Sequence, residues 1–188
     1  MKKTGIIIIA VIVGLVAILG ISLISINNNL VSMETEVDAA MADIDTYLQR
    51  RADLIPNLVN TVKGYAAHEQ AALDSVTAAR AKLAGATTVE EKAEADSALT
   101  AALNHLLVIV ENYPDLKASA NFTQLADELA GSENRIATAR RDYNAAVQEY
   151  NAAIRKFPGN LVAGMFGFEK KAFFQASDNA QNVPSVEF

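Results

Sequence analysis

One uncharged apolar segment near the N-terminus constrains this chain more than any other feature. Residues Gly5–Ile26 contain no charged side chain and consist mainly of Ile, Val, Leu and Ala. As a helix, a segment of this length reaches about 33 Å, which is enough to cross the hydrocarbon core of a bilayer. The sequence therefore predicts a transmembrane helix over residues 5–26, preceded by a short tail of residues 1–4.

A cleaved signal peptide is the alternative interpretation of this segment. Signal peptides begin with basic residues, as Lys2 and Lys3 would provide, but their apolar stretch covers only about 7–15 residues and ends at small residues. Here the run is longer and ends in Ser25, Ile26 and Asn27. This pattern favours an uncleaved anchor and a single-pass membrane protein.

The charges beside the anchor predict its orientation. Lys2 and Lys3 precede it, whereas residues 27–49 contain five acidic side chains and no Lys or Arg. Because basic residues stay preferentially on the cytoplasmic side, the N-terminus is expected in the cytoplasm and the following domain outside. An inverted insertion, with the domain in the cytoplasm, is the alternative.

The composition after the anchor excludes several classes of function. Beyond Ile26 the chain carries 14 Lys and Arg against 22 Asp and Glu, and such an acidic domain repels phosphate backbones. No nucleic-acid partner is therefore expected. The chain also lacks Cys, which rules out disulfides, thiolate zinc sites and a cysteine nucleophile.

Apolar residues beyond the anchor recur at steps of three and four, which is typical of a helix seam. The first seam predicts one long helix from Asn29 to Ala84, with Arg51 and Glu69 as its polar members. Its other members are Val37, Met41, Ile44, Leu48, Ile55, Leu58, Val62, Tyr65, Val76 and Leu83. Gly85 suits the C-terminal cap of this helix.

Two further helices are predicted. Thr88 and Glu91 have the spacing of a capping box, and Pro114 ends the helix that they open. The third helix extends from Asn121 to Phe157, with a possible break at Gly131. The predicted fold class is all-α: an N-terminal transmembrane helix followed by an antiparallel, up-down-up bundle of long helices over residues 27–176, then a flexible tail at 177–188.

The sequence offers no residues for catalysis. Its two histidines, His68 and His105, belong to no Glu-x-x-His pair of the kind that builds metal sites in helical bundles. No Gly-rich phosphate loop, G-x-S-x-G or H-E-x-x-H motif is present. We therefore expect no enzymatic activity, no metal and no cofactor.

The proline at position 56 lies inside a predicted helix, where a simple helical bundle does not require one. A proline inside a helix removes a backbone hydrogen bond and costs about 3 kcal/mol. The segment is interpreted either as a kink that lets the helix wrap around its partners or as a binding surface made of Arg50, Arg51, Asp53 and Asn57. Arg51, on the seam, is expected to pair with an acid from a facing helix.

A second apolar run, Phe157–Phe168, is too short to cross a bilayer but apolar enough to require burial. It is expected to pack against the bundle, a second subunit or a membrane surface. The predicted first helix, of about 55 residues, extends about 80 Å outward, whereas the second, of about 25 residues, returns only about 40 Å, so the third leads away from the bilayer. This predicted geometry disfavours the membrane, unless a bend at Asn27–Asn29 lays the domain along the bilayer.

Several ordered motifs resemble the LemA family. They are Ile44-Asp45, Gln49–Arg51, Asp53–Val59, Thr61–Ala66, His68-Glu69, Glu111–Ala118, Glu133–Ile136, Tyr143-Asn144, Tyr150-Asn151 and Phe157-Pro158. The similarity covers nearly the whole chain. It implies a bacterial protein of the inner (cytoplasmic) membrane, with a helical bundle and no established enzymatic activity.

These expectations combine into a membrane-anchored structural or interaction scaffold, which binds protein partners or self-associates. The alternatives are a transmembrane sensor or adaptor and, by analogy with the magnetosome branch of the family, a membrane-shaping role. Candidate interaction or register residues are Arg50, Arg51, Asp53, Pro56, Asn57, Tyr113, Asn134, Arg140, Tyr143, Asn144, Phe157 and Pro158.

Overall fold

The computed structural model describes residues 2–66 and 68–175, without the side chains of residues 2–6 and 10. Within these ranges the chain is helical and contains no strand, which confirms the all-α class. The helices are α1 (Lys2–Lys63), α2 (Gln70–Gly85), α3 (Val89–Val110), α4 (Pro114–Lys117), α5 (Ala120–Ala153) and α6 (Gly159–Phe166). The predicted tail at 177–188 lies outside the described residues.

Helix α1 contains both the apolar segment and the first bundle helix without an interruption, and Pro56 lies inside it. Its most apolar window has no buried residue, as expected of a lipid-facing helix. Helix α3 is also long and apolar enough to cross a membrane, but 44% of its apolar window is buried. Burial of that kind is typical of a core helix.

The predicted helix 29–84 is two helices in the structure, because α1 ends at Lys63 and α2 begins at Gln70. Gly64, which follows α1, lowers helix propensity by about 1 kcal/mol relative to Ala. The Tyr113 hydroxyl donates to Glu69 Oε1 at 2.8 Å, which holds the end of this turn against the start of α4. Tyr65, predicted on the seam, is 50% exposed in the turn.

The predicted start of α3 is confirmed, whereas the predicted end of α5 is wrong. The predicted capping box is confirmed, with Thr88 accepting from the Glu91 amide at the start of α3. Helix α5 passes through Gly131 without a break and ends at Ala153. Phe157 therefore lies beyond α5, where it is 80% exposed rather than on the predicted seam.

The chain divides into two compact units. Of the described residues, the first contains those up to Ala39 together with Ala145–Lys171, and the second contains those of Ala40–Asn144 together with residues 172–175.

The described residues of the second unit form four long helical segments, rather than the three predicted for the domain, with the short α4 between α3 and α5. Arg80 of α2 donates to the Ala52 carbonyl of α1 at 2.8 Å, so α2 folds back along α1. Helix α3 runs parallel to α1, because Lys92 contacts Asp45 early in both helices and Asp96 contacts Arg51 later in both.

The last segment of this bundle is α5. The early α5 residue Leu129 shares a groove with Leu58, whereas the later Asp142 shares one with Asp43, so α5 runs antiparallel to α1. The predicted second and third helices, α3 and α5, therefore have the opposite directions to those expected, because α2 supplies an additional return.

Candidate functional site

The most unusual feature of the second unit is a buried ion cluster, which we define as Arg51, Asp96, Thr100, Glu133 and Arg140. Arg51 Nη1 lies 2.7 Å from Asp96 Oδ1 and 2.7 Å from Glu133 Oε2. Its Nη2 donates to Thr100 Oγ1 at 2.9 Å. Arg140 Nη1 is 3.5 Å from the second Asp96 oxygen. One guanidinium from α1 thus joins acids from α3 and α5.

The centre of the buried ion cluster is almost completely shielded from water. Arg51 is 3% exposed and Asp96 is 1% exposed. Burial raises the pKa of Asp96, and the nearby Glu133 carboxylate adds to this effect, whereas the charges of Arg51 and Arg140 oppose it. Arg51 Nε has no hydrogen-bond partner among the described residues.

This arrangement is suited to fixing helix register rather than to catalysis. Asp96 is closed to solvent and already engages two cations. A buried charge needs its partner at one position along the facing helix, so a shift of one turn would leave both charges unpaired. The geometry of the buried ion cluster is therefore compatible with a role in aligning α1, α3 and α5.

The first Tyr-Asn motif of α5 binds the extended chain that follows α6. Asn144 Oδ1 accepts from the Phe174 amide at 2.8 Å and its Nδ2 donates to the Phe174 carbonyl at 3.0 Å. Tyr143 donates to the Ala172 carbonyl at 2.9 Å. Arg140 lies over the Phe174 ring, 5.0 Å from its centre. These contacts hold the C-terminal segment of the second unit against α5.

In the first unit, Asn151 of the second Tyr-Asn motif also binds the backbone of the chain that follows α6. Asn151 accepts from the Lys171 amide and donates to the Lys171 carbonyl, each at 2.9 Å. The Lys171 side chain lies 2.9 Å from Glu34 and 3.4 Å from Asp38, and its hydrogen bond to Glu34 raises its pKa. Tyr150 is fully buried, which raises its pKa, and its hydroxyl has no hydrogen-bond partner among the described residues.

Another group of predicted positions is exposed. Arg50, Asp53 and Asn57 share one face of α1 at helical spacing, and we call them the α1 polar stripe. Arg50 lines a surface groove of about 600 Å³ together with the α5 acids Asp127 and Glu128. Pro56 and, on α5, Asn134 are also exposed. These side chains are accessible to a partner.

The predicted site residues therefore fall into three groups. Arg51, Arg140, Tyr143 and Asn144 make contacts inside the chain, as does Tyr113 through Glu69. Arg50, Asp53, Pro56, Asn57 and Asn134 are exposed. Phe157 and Pro158 are exposed directly before α6.

Sequence reasoning missed Asp96 and Lys171. Asp96 occupies the helical line of Leu99, Leu103 and Leu106, so an acid on that apolar seam was a usable signal. Lys171 had no comparable signal, because its partners Glu34 and Asp38 are remote in sequence. His68 and His105 are both exposed, and the described residues contain no group of His, Asp or Glu arranged to hold a metal ion.

Comparison with known proteins gives a family and several relatives. The LemA family model matches residues 40–188. Magnetosome protein MamQ 2 of Paramagnetospirillum magneticum is 27% identical over 174 residues, covering 79% of this chain and 64% of that protein. Protein LemA of Metamycoplasma hominis is 30% identical over 156 residues, covering 80% and 69%. Magnetosome protein MamQ of Magnetospirillum gryphiswaldense is 26% identical over 188 residues, covering 85% and 69%. The chain spans about two thirds of the length of these relatives.

Proposed function

Because the chain belongs to the LemA family, we propose that it is a membrane-anchored scaffold, which holds partner proteins or further copies of itself at the membrane and catalyses no reaction. The observation that carries the proposal is the continuity of α1. One helix contains the uncovered apolar segment and, further along, the core residues Ile44 and Ile55. Since helical backbone bonds are satisfied within the helix, the apolar segment and these core residues belong to one continuous helix.

A single membrane crossing fits the environment of the two apolar helices. The apolar segment of α1 is uncovered, whereas α3 contributes Leu99, Leu106 and Val110 to the core and Asp96 to the buried ion cluster. A helix whose apolar face is already packed within the protein has little further apolar surface to bury in lipid. We place the anchor in the inner membrane of a bacterium, with the bundle on the extracytoplasmic side because of Lys2 and Lys3.

The exposed residues are the best candidates for partner binding. Arg51, Arg140 and Asn144 are engaged within the chain, so their contribution is to alignment and packing. The α1 polar stripe and Asn134 are accessible. Arg50 is especially suited, because Arg is enriched in protein interfaces and forms directional bonds to carboxylates.

Four of the five described groups with shifted pKa values have structural partners, and the fifth, Tyr150, is fully buried and faces no open pocket, which supports a non-catalytic role. Asp96 pairs with Arg51, Tyr113 donates to Glu69, and Lys171 pairs with Glu34. The Glu91 carboxylate, whose pKa is lowered by hydrogen bonds from Thr87 and Thr88, caps α3. An active site would instead direct such groups into an open pocket.

The test is the mass of the full-length protein and its stable partners after extraction in a mild detergent. We expect a defined assembly for the wild type and its loss in Arg50→Glu, because the substitution reverses a charge on the α1 polar stripe. Lys63→Glu is the matched control, since it reverses another exposed cation of α1 on a different face. A wild-type monomer without fixed partners would contradict the scaffold function.

A further inference from the structure

The apolar run after α5 is left with one uncovered face. Residues Phe157–Phe168 contain no charged side chain, and α6 occupies their centre. Four large side chains of this run are open to solvent: Phe157 is 80% exposed, Leu161 55%, Met165 67% and Phe166 59%. A contiguous apolar surface of this kind normally marks an interaction site.

The other face of α6 is buried. Val162 is fully buried and Ala163 is 5% exposed. Gly159 is also buried, and a Cβ there would overlap the Ala153 carbonyl oxygen. Helix α6 is therefore held in place by its inner face and presents its remaining apolar side chains outward.

Contacts within the first unit locate the end of α5 along α1. Asn151 brackets the backbone of Lys171, whose side chain reaches Glu34 and Asp38. The last turn of α5 is therefore close to residues 34–38 of α1.

A line of covered residues on one face of α1 indicates where α6 lies. Leu30 is 1% exposed, and Leu23, Ile26 and Asn27 on the same face are partly covered. The rest of this compact unit is Ala145–Lys171. Since its α5 end and Lys171 occupy positions 34–38, the turn after Ala153, α6 and residues 167–170 are the described parts of this unit left to cover positions 23–30. The predicted membrane segment ends within this interval, at Ile26.

From this placement we infer that α6 and Phe157 form an interfacial helix, which lies in the boundary between headgroups and acyl chains of the bilayer that α1 crosses. The inference rests on the apolar segment of α1 being a membrane span. Exposed cations flank the run, with Arg155 and Lys156 before it and Lys170 after it. Such side chains extend their charged ends to lipid headgroups while apolar neighbours enter the acyl layer.

The same placement disfavours a protein on this face. The interval from Leu23 to Leu30 covers only about 10 Å of helix rise, so α6 lies within about two turns of the end of the span. A second copy or a soluble partner would have to displace headgroups to cover these side chains. Lipid is already present at that depth.

The absence of Trp in the chain makes a direct test possible. Full-length Phe166→Trp protein is reconstituted into phosphatidylcholine vesicles with or without bromine atoms on the acyl chains, and the Trp fluorescence is compared. Ile18→Trp, within the span, is the positive control. Val108→Trp is the negative control, because Val108 is a similarly exposed apolar residue, 68% accessible, on α3 of the other unit.

We expect brominated lipid to reduce the emission of Phe166→Trp by roughly twofold or more and to leave that of Val108→Trp nearly unchanged. Quenching of Ile18→Trp alone would overturn the interfacial helix while keeping the anchor and the scaffold. Blue-shifted but unquenched Phe166→Trp emission would also overturn it, and would indicate a protein cover. If Ile18→Trp were not quenched, the membrane span itself would be wrong.

Discussion

Arg50 and Arg51 are adjacent in sequence and have opposite environments. Arg51 is 3% exposed at the centre of the buried ion cluster, whereas Arg50 is open to solvent beside a groove. The difference arises because successive residues of a helix are rotated by about 100°. The two positions therefore separate a role in packing from a role in binding.

The first prediction at the residue scale concerns the energy of the buried ion cluster. Arg51→Met removes the cation and leaves Asp96, which is 1% exposed, with only the longer contact to Arg140. We expect the free energy of unfolding to fall by about 3–5 kcal/mol. Denaturant unfolding of the full-length protein in detergent, followed by circular dichroism, measures this change.

A double-mutant cycle tests whether the lost stability comes from the pair of Arg51 and Asp96. Arg51→Met combined with Asp96→Leu should recover most of the lost stability, because apolar residues of similar volume replace a buried pair at little cost. Arg50→Met, on the exposed face, should change the free energy by less than about 0.5 kcal/mol. Equal effects of Arg50→Met and Arg51→Met would contradict the assigned role of the cluster.

At the scale of elements, the connection between α5 and α6 depends on close backbone contact. Gly159 is the first residue of α6 and lies against the Ala153 carbonyl at the end of α5. Gly164, later in the same helix, faces open space. Two glycines of one short helix therefore have different structural importance.

The corresponding prediction compares alanine at both glycines. Gly159→Ala should lower the free energy of unfolding by about 1–3 kcal/mol, because the new Cβ forces the two segments apart. Gly164→Ala should be neutral or stabilising by up to about 1 kcal/mol, since it only restricts the unfolded chain. Protection of α6 amides from hydrogen exchange provides an independent measurement. Similar values for the two variants would show that the close approach to Ala153 is unimportant.

At the scale of the whole molecule, the remaining question is the side of the membrane on which the bundle lies. The chain contains no Cys, so single-cysteine variants report topology without background. Ala71→Cys, exposed on α2, should react with a membrane-impermeant maleimide in intact spheroplasts. Thr4→Cys, before the apolar segment, should react only after permeabilisation, because Lys2 and Lys3 favour the cytoplasm. The reverse pattern would establish the inverted insertion.

The sequence predicted much of the fold because helices carry local signals. Thr88 with Glu91 defined the start of α3, and the seam residues Ile44, Ile55 and Leu58 are all buried. The end of α1 was missed, since an apolar seam continues in register past Gly64 into α2. Arg51 was identified as a seam cation, but its choice of Asp96 was not, because several acids were available to a facing helix.

By itself, the sequence determined the apolar N-terminal segment, the helical class and the family motifs, since these depend on local composition, periodicity and residue order. Only the tertiary structure decided what the motifs contact. The two Tyr-Asn motifs bind extended backbone through Asn144 and Asn151, and backbone groups carry no sequence signature. The structure also decided the directions of α3 and α5, because the break after Lys63 adds α2 as a return helix before them.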